Sequence, residues 1–143
     1  MSTLTIDPAI EQCVSDVVHI GSAYDLEGME RLYTADQIFL ILTPEGEVIR
    51  FTRAEVFEEF RARRDAGEPA LSTEYRVLHV EQQGRDAVAL LYRRMSPAAP
   101  PVMYELRLRN EHGGWAVAGE TVTPWPGPEG QGGSFLPPRK NAA

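Results

Sequence analysis

Apolar residues recur at helical spacing in three segments of the first half of the chain. Asp7 and Pro8 are typical of a helix start, because aspartate caps free backbone amides and proline fits the first helical turn. Asp25 can cap a second, shorter helix in the same way. Residues 52–55 match a capping box, which predicts a third helix that ends near Gly67.

The hydrophobic pattern changes to that of strands between and after these helices. Residues 38–42 form a short apolar run that predicts a strand covered on both faces, and residues 48–51 predict a short returning strand. After residue 70 the period of the pattern changes from about 3.6 to about 2. Turn residues divide this region into four predicted strands, over 71–79, 87–95, 102–109 and 115–123.

The predicted order of elements is therefore α-α-β-β-α-β-β-β-β. Helices that are segregated from a mostly antiparallel sheet define an α+β domain. A long twisted sheet with the first helix laid across it makes a cone, and a small-molecule pocket would form at its open end. We expect residues 1–124 to make this single domain and the Pro/Gly-rich residues 125–143 to make an extended or disordered tail.

Composition narrows the possible chemistry of the 143 residues. The net charge of −7 argues against nucleic acid and anionic membranes as partners. Cys13 is the only cysteine and Lys140 the only lysine, so the sequence predicts no disulfide, no cysteine-rich metal site and no Schiff-base chemistry. We expect no metal and no cofactor. An acidic N-terminal segment and the lack of a long apolar run predict a cytoplasmic protein without a membrane span.

Two segments of the chain resemble the nuclear transport factor 2-like superfamily, which includes ketosteroid isomerases, SnoaL-like polyketide cyclases and many small proteins of unknown function. The segments are residues 25–36 (DLEGMERLYTAD), followed by an apolar strand, and residues 113–120 (GGWAVAGE). The resemblance spans roughly residues 8–124. It implies a cystatin-like, cone-shaped α+β barrel that is usually a homodimer through its outer sheet face. It implies no particular reaction, because one fold supports many functions.

The resemblance does not carry over a complete catalytic set. Ketosteroid isomerases place an aspartate base at the end of the strand that follows the second helix, where this chain has only apolar residues, among them Ile41. Their phenol in the first helix would fall near Val17, and their protonated aspartate near Tyr104. The base is therefore missing, and Tyr104 is the one hydrogen-bond donor that remains.

Five residues are the predicted contacts of a bound small molecule: Val17, Tyr24, Ile41, Tyr92 and Tyr104. Tyr104 could donate to a ligand carbonyl if its strand face is concave, or it could be a core tyrosine bonded to the backbone. Tyr24, at the end of the first helix, could close the pocket or pack on the second helix. The buried face of the strand that holds Tyr92 is left open.

His79 and Glu120 are the candidate catalytic residues. His79 and Glu81 could form an acid–base pair, or simply an exposed pair on one strand. Glu120 is flanked by small residues, and burial would raise its pKa and make it a candidate base. The alternative is an outward-facing glutamate that pairs with Arg107 or Arg109.

Three functions remain open from the sequence. The missing base favours a protein that binds a small hydrophobic molecule without catalysis. The second possibility is an isomerase or cyclase that acts on a hydrophobic carbonyl compound, using Tyr104 and either His79 or Glu120. The third is an association module that dimerises through the outer sheet and has a filled interior.

Overall fold

The computed structural model describes residues 6–127 and 136–140. The helices are α1 (Pro8–Ser22), α2 (Leu26–Leu32) and α3 (Arg53–Asp65), and the strands are β1 (Tyr33–Leu42), β2 (Val48–Thr52), β3 (Tyr75–Gln83), β4 (Asp86–Arg93), β5 (Val102–Glu111) and β6 (Gly114–Pro124). This order confirms the predicted α+β class and the predicted sequence of elements. None of the described helices is long and apolar enough to cross a membrane.

Each helix begins where its capping residue predicts. The carboxylate of Asp7 accepts a hydrogen bond from the backbone of Ala9, and Asp25 caps α2 in the same manner. At the start of α3, Thr52 and Glu55 accept from each other's backbone amides, as a capping box requires. Local sequence therefore determines the helix starts.

The six strands form one sheet in the order β2-β1-β6-β5-β4-β3. Only β1 and β6 are parallel, and this pairing joins the N-terminal hairpin to the long C-terminal meander. Irregularities interrupt the register of the β1–β6, β3–β4 and β5–β6 pairings, with the extra residues on β1, β3 and β6, and such bulges increase the twist of a sheet. The helices pack on one face of the sheet, and the hydrophobic core lies between the helices and the sheet.

Two strands begin four or five residues away from their predicted starts. β1 begins at Tyr33, directly after α2, rather than at Ile38, because its first half carries polar residues and a bulge that hide the strand pattern. The prediction that residues 38–42 are covered on both faces is wrong: Phe39 and Ile41 are half-buried, and Leu42 is 36% exposed. β3 begins at residue 75 rather than 71, since residues 71–74 hydrogen-bond to Ser22 at the end of α1 and to the two residues that follow β4, and do not form a regular strand.

The described chain continues beyond β6 for three residues. The Trp125 ring meets the Tyr92 ring edge-on at 5.1 Å, and its backbone amide donates to the carbonyl of Pro101 at 3.4 Å. Most of the predicted tail, residues 128–135 and 141–143, lies outside the described residues. The predicted homodimer through the outer sheet face stays a prediction.

Candidate functional site

A pocket of about 480 Å³ opens at the end of the cone where β1 and β6 finish and β5 begins. Its wall is mostly apolar and includes Ile41, Val102, Val122 and Trp125. Prolines from the β1–β2 turn, the β4–β5 loop and the chain after β6 complete the wall. Proline and tryptophan have few conformations to lose, so this wall is suited to a preformed binding site.

The residues one step deeper in the cone are aromatic and ionisable. Two residues along a strand advance by about 6.6 Å and return to the same face of the sheet. That step leads from Ile41 to Phe39, from Val102 to Tyr104 and from Val122 to Glu120. The rings of Phe39 and Tyr104 contact each other edge-on at 6.1 Å. They therefore lie beneath the apolar pocket, next to the carboxyl group of Glu120.

Glu120 is completely buried and is hydrogen-bonded from both sides. The Tyr104 hydroxyl donates to Oε1 at 2.8 Å, and Nε2 of Gln37 donates to Oε2 at 2.7 Å. The Tyr33 hydroxyl also faces this carboxyl group. A carboxyl group that is buried away from the solvent depends on such hydrogen bonds to offset the cost of its burial.

Burial raises the pKa of Glu120 from its ordinary value of 4.5 to about 7. Hydrogen bonds from Tyr104, Gln37 and Tyr33 and the positive charge of Arg93 oppose this rise. The pKa values of both tyrosines lie well above their usual range because they are buried beside Glu120, so they remain donors. Glu120 can therefore take up or release a proton near neutral pH.

Gln37 is suited to both protonation states of Glu120. Its side-chain carbonyl oxygen Oε1 is buried and has no hydrogen-bond partner among residues 6–127 and 136–140. When Glu120 is ionised, the amide nitrogen donates to it, as the structure shows. A half-turn of the amide can bring Oε1 to the same place, where it can accept the proton of a neutral carboxyl group.

Arg93 lies on the same inner face as Glu120, at the far side of Tyr104. It is 5% exposed, and its Cζ lies 5.9 Å from the centre of the Tyr104 ring. Its Nη2 donates to the carbonyl of Ser72 at 2.7 Å and to Oγ of Ser22 at 3.3 Å. Desolvation lowers the pKa of Arg93, although the neighbouring groups oppose it. Gln37, Glu120, Tyr104 and Arg93 thus form a polar row across β1, β6, β5 and β4.

Of the five residues predicted to contact a ligand, the structure places Ile41 in the pocket wall and Tyr104 directly below it. Val17 is a buried residue of α1 in the core. Tyr24 packs edge-on against Phe60 of α3 rather than on the second helix, and its hydroxyl donates to the backbone carbonyl of residue 69 at 2.9 Å. Tyr24 is therefore a packing residue outside the described pocket.

Tyr92 lies on the opposite face of β4 from the buried Leu91. Its hydroxyl donates to Glu74 at 3.1 Å, and the guanidinium group of Arg76 lies 4.9 Å above its ring. It reaches the site only indirectly, through its contact with Trp125, which lines the pocket.

The two candidate catalytic residues lie in different environments. His79 forms an exposed pair with Glu81, with 2.8 Å between Nε2 and Oε1, and is remote from the polar row. The alternative that Glu120 faces outward is wrong. Arg107 contacts Glu105 and Thr121 instead, while Arg109 pairs with two other acidic side chains.

Sequence reasoning missed Gln37 and Arg93. The alternation of buried Ala87, Ala89 and Leu91 continues to Arg93 and could have placed it on the inner face. Gln37 lies on the same alternation as the pocket residues of β1, but it precedes the apolar run that defined the predicted strand. Within the described residues, no three His, Cys, Asp or Glu side chains lie together as metal ligands.

No protein-family model matches the chain, and no curated protein matches it in sequence. Several solved structures share its fold. A nuclear transport factor 2-like protein of unknown function from Silicibacter pomeroyi DSS-3 superposes with a TM-score of 0.65 at 18% identity, over 80% of this chain and 91% of that one.

Two further structures agree with this assignment. One is a domain of unknown function with a cystatin-like fold from Nostoc punctiforme PCC 73102, with a TM-score of 0.64, 17% identity and coverage of 90% and 82%. The other is a ketosteroid isomerase-like protein from Erwinia carotovora atroseptica SCRI1043, with a TM-score of 0.55, 16% identity and coverage of 81% and 93%. The chain therefore has the nuclear transport factor 2-like, cystatin-like fold, as the resemblance implied.

Proposed function

We propose that the protein binds a small hydrophobic molecule in the pocket at the open end of the cone. The observation that supports this function is the apolar wall around about 480 Å³, a volume within the usual range for small-molecule sites. An apolar ligand would remove Ile41, Val102 and Val122 from water, which stabilises a complex by about 25 cal/mol per Å² of apolar surface buried.

Thermal unfolding in the presence of simple probes tests this proposal. We would use 1-octanol, 2-octanone and octanoate, which share a hydrophobic chain and differ in their polar group. A ligand at about one hundred times its dissociation constant stabilises the folded state by roughly 2.7 kcal/mol, which raises Tm by roughly 5–10 °C in a domain of this size. Stabilisation by none of the three probes would refute the proposal.

A matched pair of variants locates the binding. Ile41→Trp places a large ring in the pocket wall and should abolish the stabilisation by these probes. Leu78→Trp makes a similar change on β3, where the side chain is 44% exposed and outside the described pocket, and should leave binding intact. Equal binding by both variants would show that the probes occupy another place.

Acid–base catalysis on a hydrophobic carbonyl compound is the second candidate function. It is favoured by the burial of Glu120, by its pKa of about 7 and by the adjacent Tyr104 hydroxyl, because a base near neutrality beside a donor suits proton abstraction next to a carbonyl group. The rings of Phe39 and Tyr104 would have to move before a substrate could touch the carboxyl group.

Proton exchange at the carbon atoms next to the carbonyl of 2-octanone, followed by NMR in deuterated water, tests this second function. An isomerase-like site should accelerate the exchange, and Glu120→Gln should remove the acceleration. Glu81→Gln, on the exposed His79 pair, is the matched control and should keep it. An exchange rate equal to that of buffer alone would rule out this chemistry for the probe.

A further inference from the structure

Arg93 is a buried cation without an anionic partner in contact. Within the described residues, no carboxylate oxygen lies within 4 Å of its guanidinium group; its hydrogen-bond acceptors are the neutral Ser72 carbonyl and Ser22 hydroxyl. Its Nε is buried and has no hydrogen-bond partner in the part of the chain that the structure describes. A guanidinium group in this situation has lost water without gaining a counter-ion, which is costly unless something else supplies one.

The position of Arg93 connects it to the pocket. Arg93 on β4 stands directly opposite Val102 on β5, and Val102 lines the pocket. Side chains opposite each other on antiparallel strands lie about 5 Å apart at their Cβ atoms. The alternation of both strands also places the two residues on the same inner face. The unpaired cation is therefore one strand away from the apolar wall.

The other ionisable groups of the interior do not neutralise Arg93. Glu120 on β6 is engaged by Tyr104 and Gln37 and does not contact the guanidinium group, and its raised pKa of about 7 leaves it only partly ionised near neutral pH. The remaining groups around Arg93 are the tyrosines at 33, 75 and 104, which are neutral when protonated. Among the described residues, Arg93 thus has no counter-ion in contact, although the whole chain has a net charge of −7.

We propose that the ligand of this pocket is a hydrophobic anion, an apolar chain or ring system that ends in a carboxylate, and that its carboxylate pairs with Arg93. The inference rests on the proposed binding function. A carboxylate can accept from Nε and a terminal nitrogen of the same guanidinium group, a planar arrangement that arginine favours. The apolar body of the ligand then occupies the pocket between β1, β5 and β6.

Isothermal titration with three matched probes tests the ligand class. Octanoate, 1-octanol and methyl octanoate share one hydrophobic chain, and only octanoate is an anion at neutral pH. We expect the intact protein to bind octanoate at least about tenfold more tightly than either neutral probe, because a charge-assisted pair is stronger than a neutral hydrogen bond. This comparison uses the wild-type chain and depends on no variant.

Substitution of Arg93 then identifies the residue responsible. Arg93→Met should bring octanoate to the affinity of 1-octanol, while Arg93→Lys should keep part of the preference because it retains the charge. Arg76→Met, on the outer face above Tyr92, should leave the affinities for octanoate and 1-octanol unchanged. Circular dichroism checks that each variant is folded. If Arg93→Met does not fold, a reduced octanoate preference in folded Arg93→Lys tests the role of Arg93 instead.

Each result separates this inference from the proposed function. Equal binding of octanoate and 1-octanol would refute the anion selectivity and leave the hydrophobic site standing. An octanoate preference that persists in folded Arg93→Met, or that is undiminished in folded Arg93→Lys, would refute the role of Arg93. Binding of none of the probes would overturn both proposals.

Discussion

Replacing Glu120 by glutamine should remove a specific pH dependence of stability. The substitution keeps the size and shape of the side chain and removes its ability to ionise. In the wild-type protein, burial raises the pKa of Glu120 in the folded state to about 7, from an ordinary value of 4.5 that describes the unfolded chain. The folded state therefore binds this proton more tightly than the unfolded state does.

The sign and size of the effect follow from this difference. Between pH 4.5 and about 7 the folded protein holds one proton more than the unfolded chain at this group, so the free energy of unfolding falls as pH rises. The contribution is fully present below pH 4.5 and lost above about pH 7. The change corresponds to about 3 kcal/mol, a large fraction of the stability of an ordinary domain.

Urea unfolding of both proteins at a series of pH values measures the effect. Other carboxylates, among them Asp7, Asp36 and Glu55, have lowered pKa values because they accept hydrogen bonds, and they destabilise the fold at low pH in both proteins. Their contribution cancels in the comparison. As the pH rises from 4.5 to 8, we expect the free energy of unfolding of Glu120→Gln to increase by about 3 kcal/mol relative to that of the wild type.

The control is Glu58→Gln, on the exposed side of α3, whose stability should follow wild type at every pH. If the curves of Glu120→Gln and wild type run parallel, then Glu120 does not change its proton between these pH values. That result would refute both the burial argument for its pKa and its use as a base.

Three further predictions concern the framework around the site and are checked by urea unfolding. Gly28→Ala should destabilise by about 1–3 kcal/mol, because the new Cβ would lie 2.6 Å from a side chain of α1; Gly114→Ala, in open space, should be nearly neutral. Leu106→Ala should cost about 2–5 kcal/mol, because Leu106 is fully buried, whereas Leu78→Ala should cost less than about 1 kcal/mol. Thr52→Ala should cost about 1 kcal/mol by removing the capping box of α3. The reverse order within either matched pair would contradict the packing described here.

The helix starts and the order of elements could be predicted because they depend on residues close together in sequence. A capping residue and its target amide lie two or three positions apart, so Asp7 and Thr52 carry their signal locally. The order of the four strands β3 to β6 could also be predicted, since each turn between them joins strands that are neighbours in the sheet. The early start of β1 was missed because the parallel pairing with β6 involves residues more than eighty positions away.

The candidate site was harder to predict for a related reason. Whether Glu120 faces inward depends on the bulge that shifts the pairing of β5 and β6 between Arg107 and Leu108, and a one-residue shift turns a side chain to the other face. No local sequence pattern indicates that shift in register. The hydrogen-bond donors of Glu120 are Gln37 and Tyr104, which come from two other strands. This hydrogen-bonded group therefore exists only after the sheet has formed.

The polar row is difficult to explain as a structural device. The same inner face holds Leu106, Leu108 and Val117, which fill the core without any unpaired polar atom. Replacing buried charged groups by apolar residues of similar volume is often neutral or stabilising, so folding alone does not require Glu120 or Arg93 in these positions. Proteins keep such groups where binding or chemistry needs them, at a cost in stability. The gain in stability expected of Glu120→Gln above neutral pH would measure part of that cost, and a loss of octanoate preference in Arg93→Met would show what the cost serves.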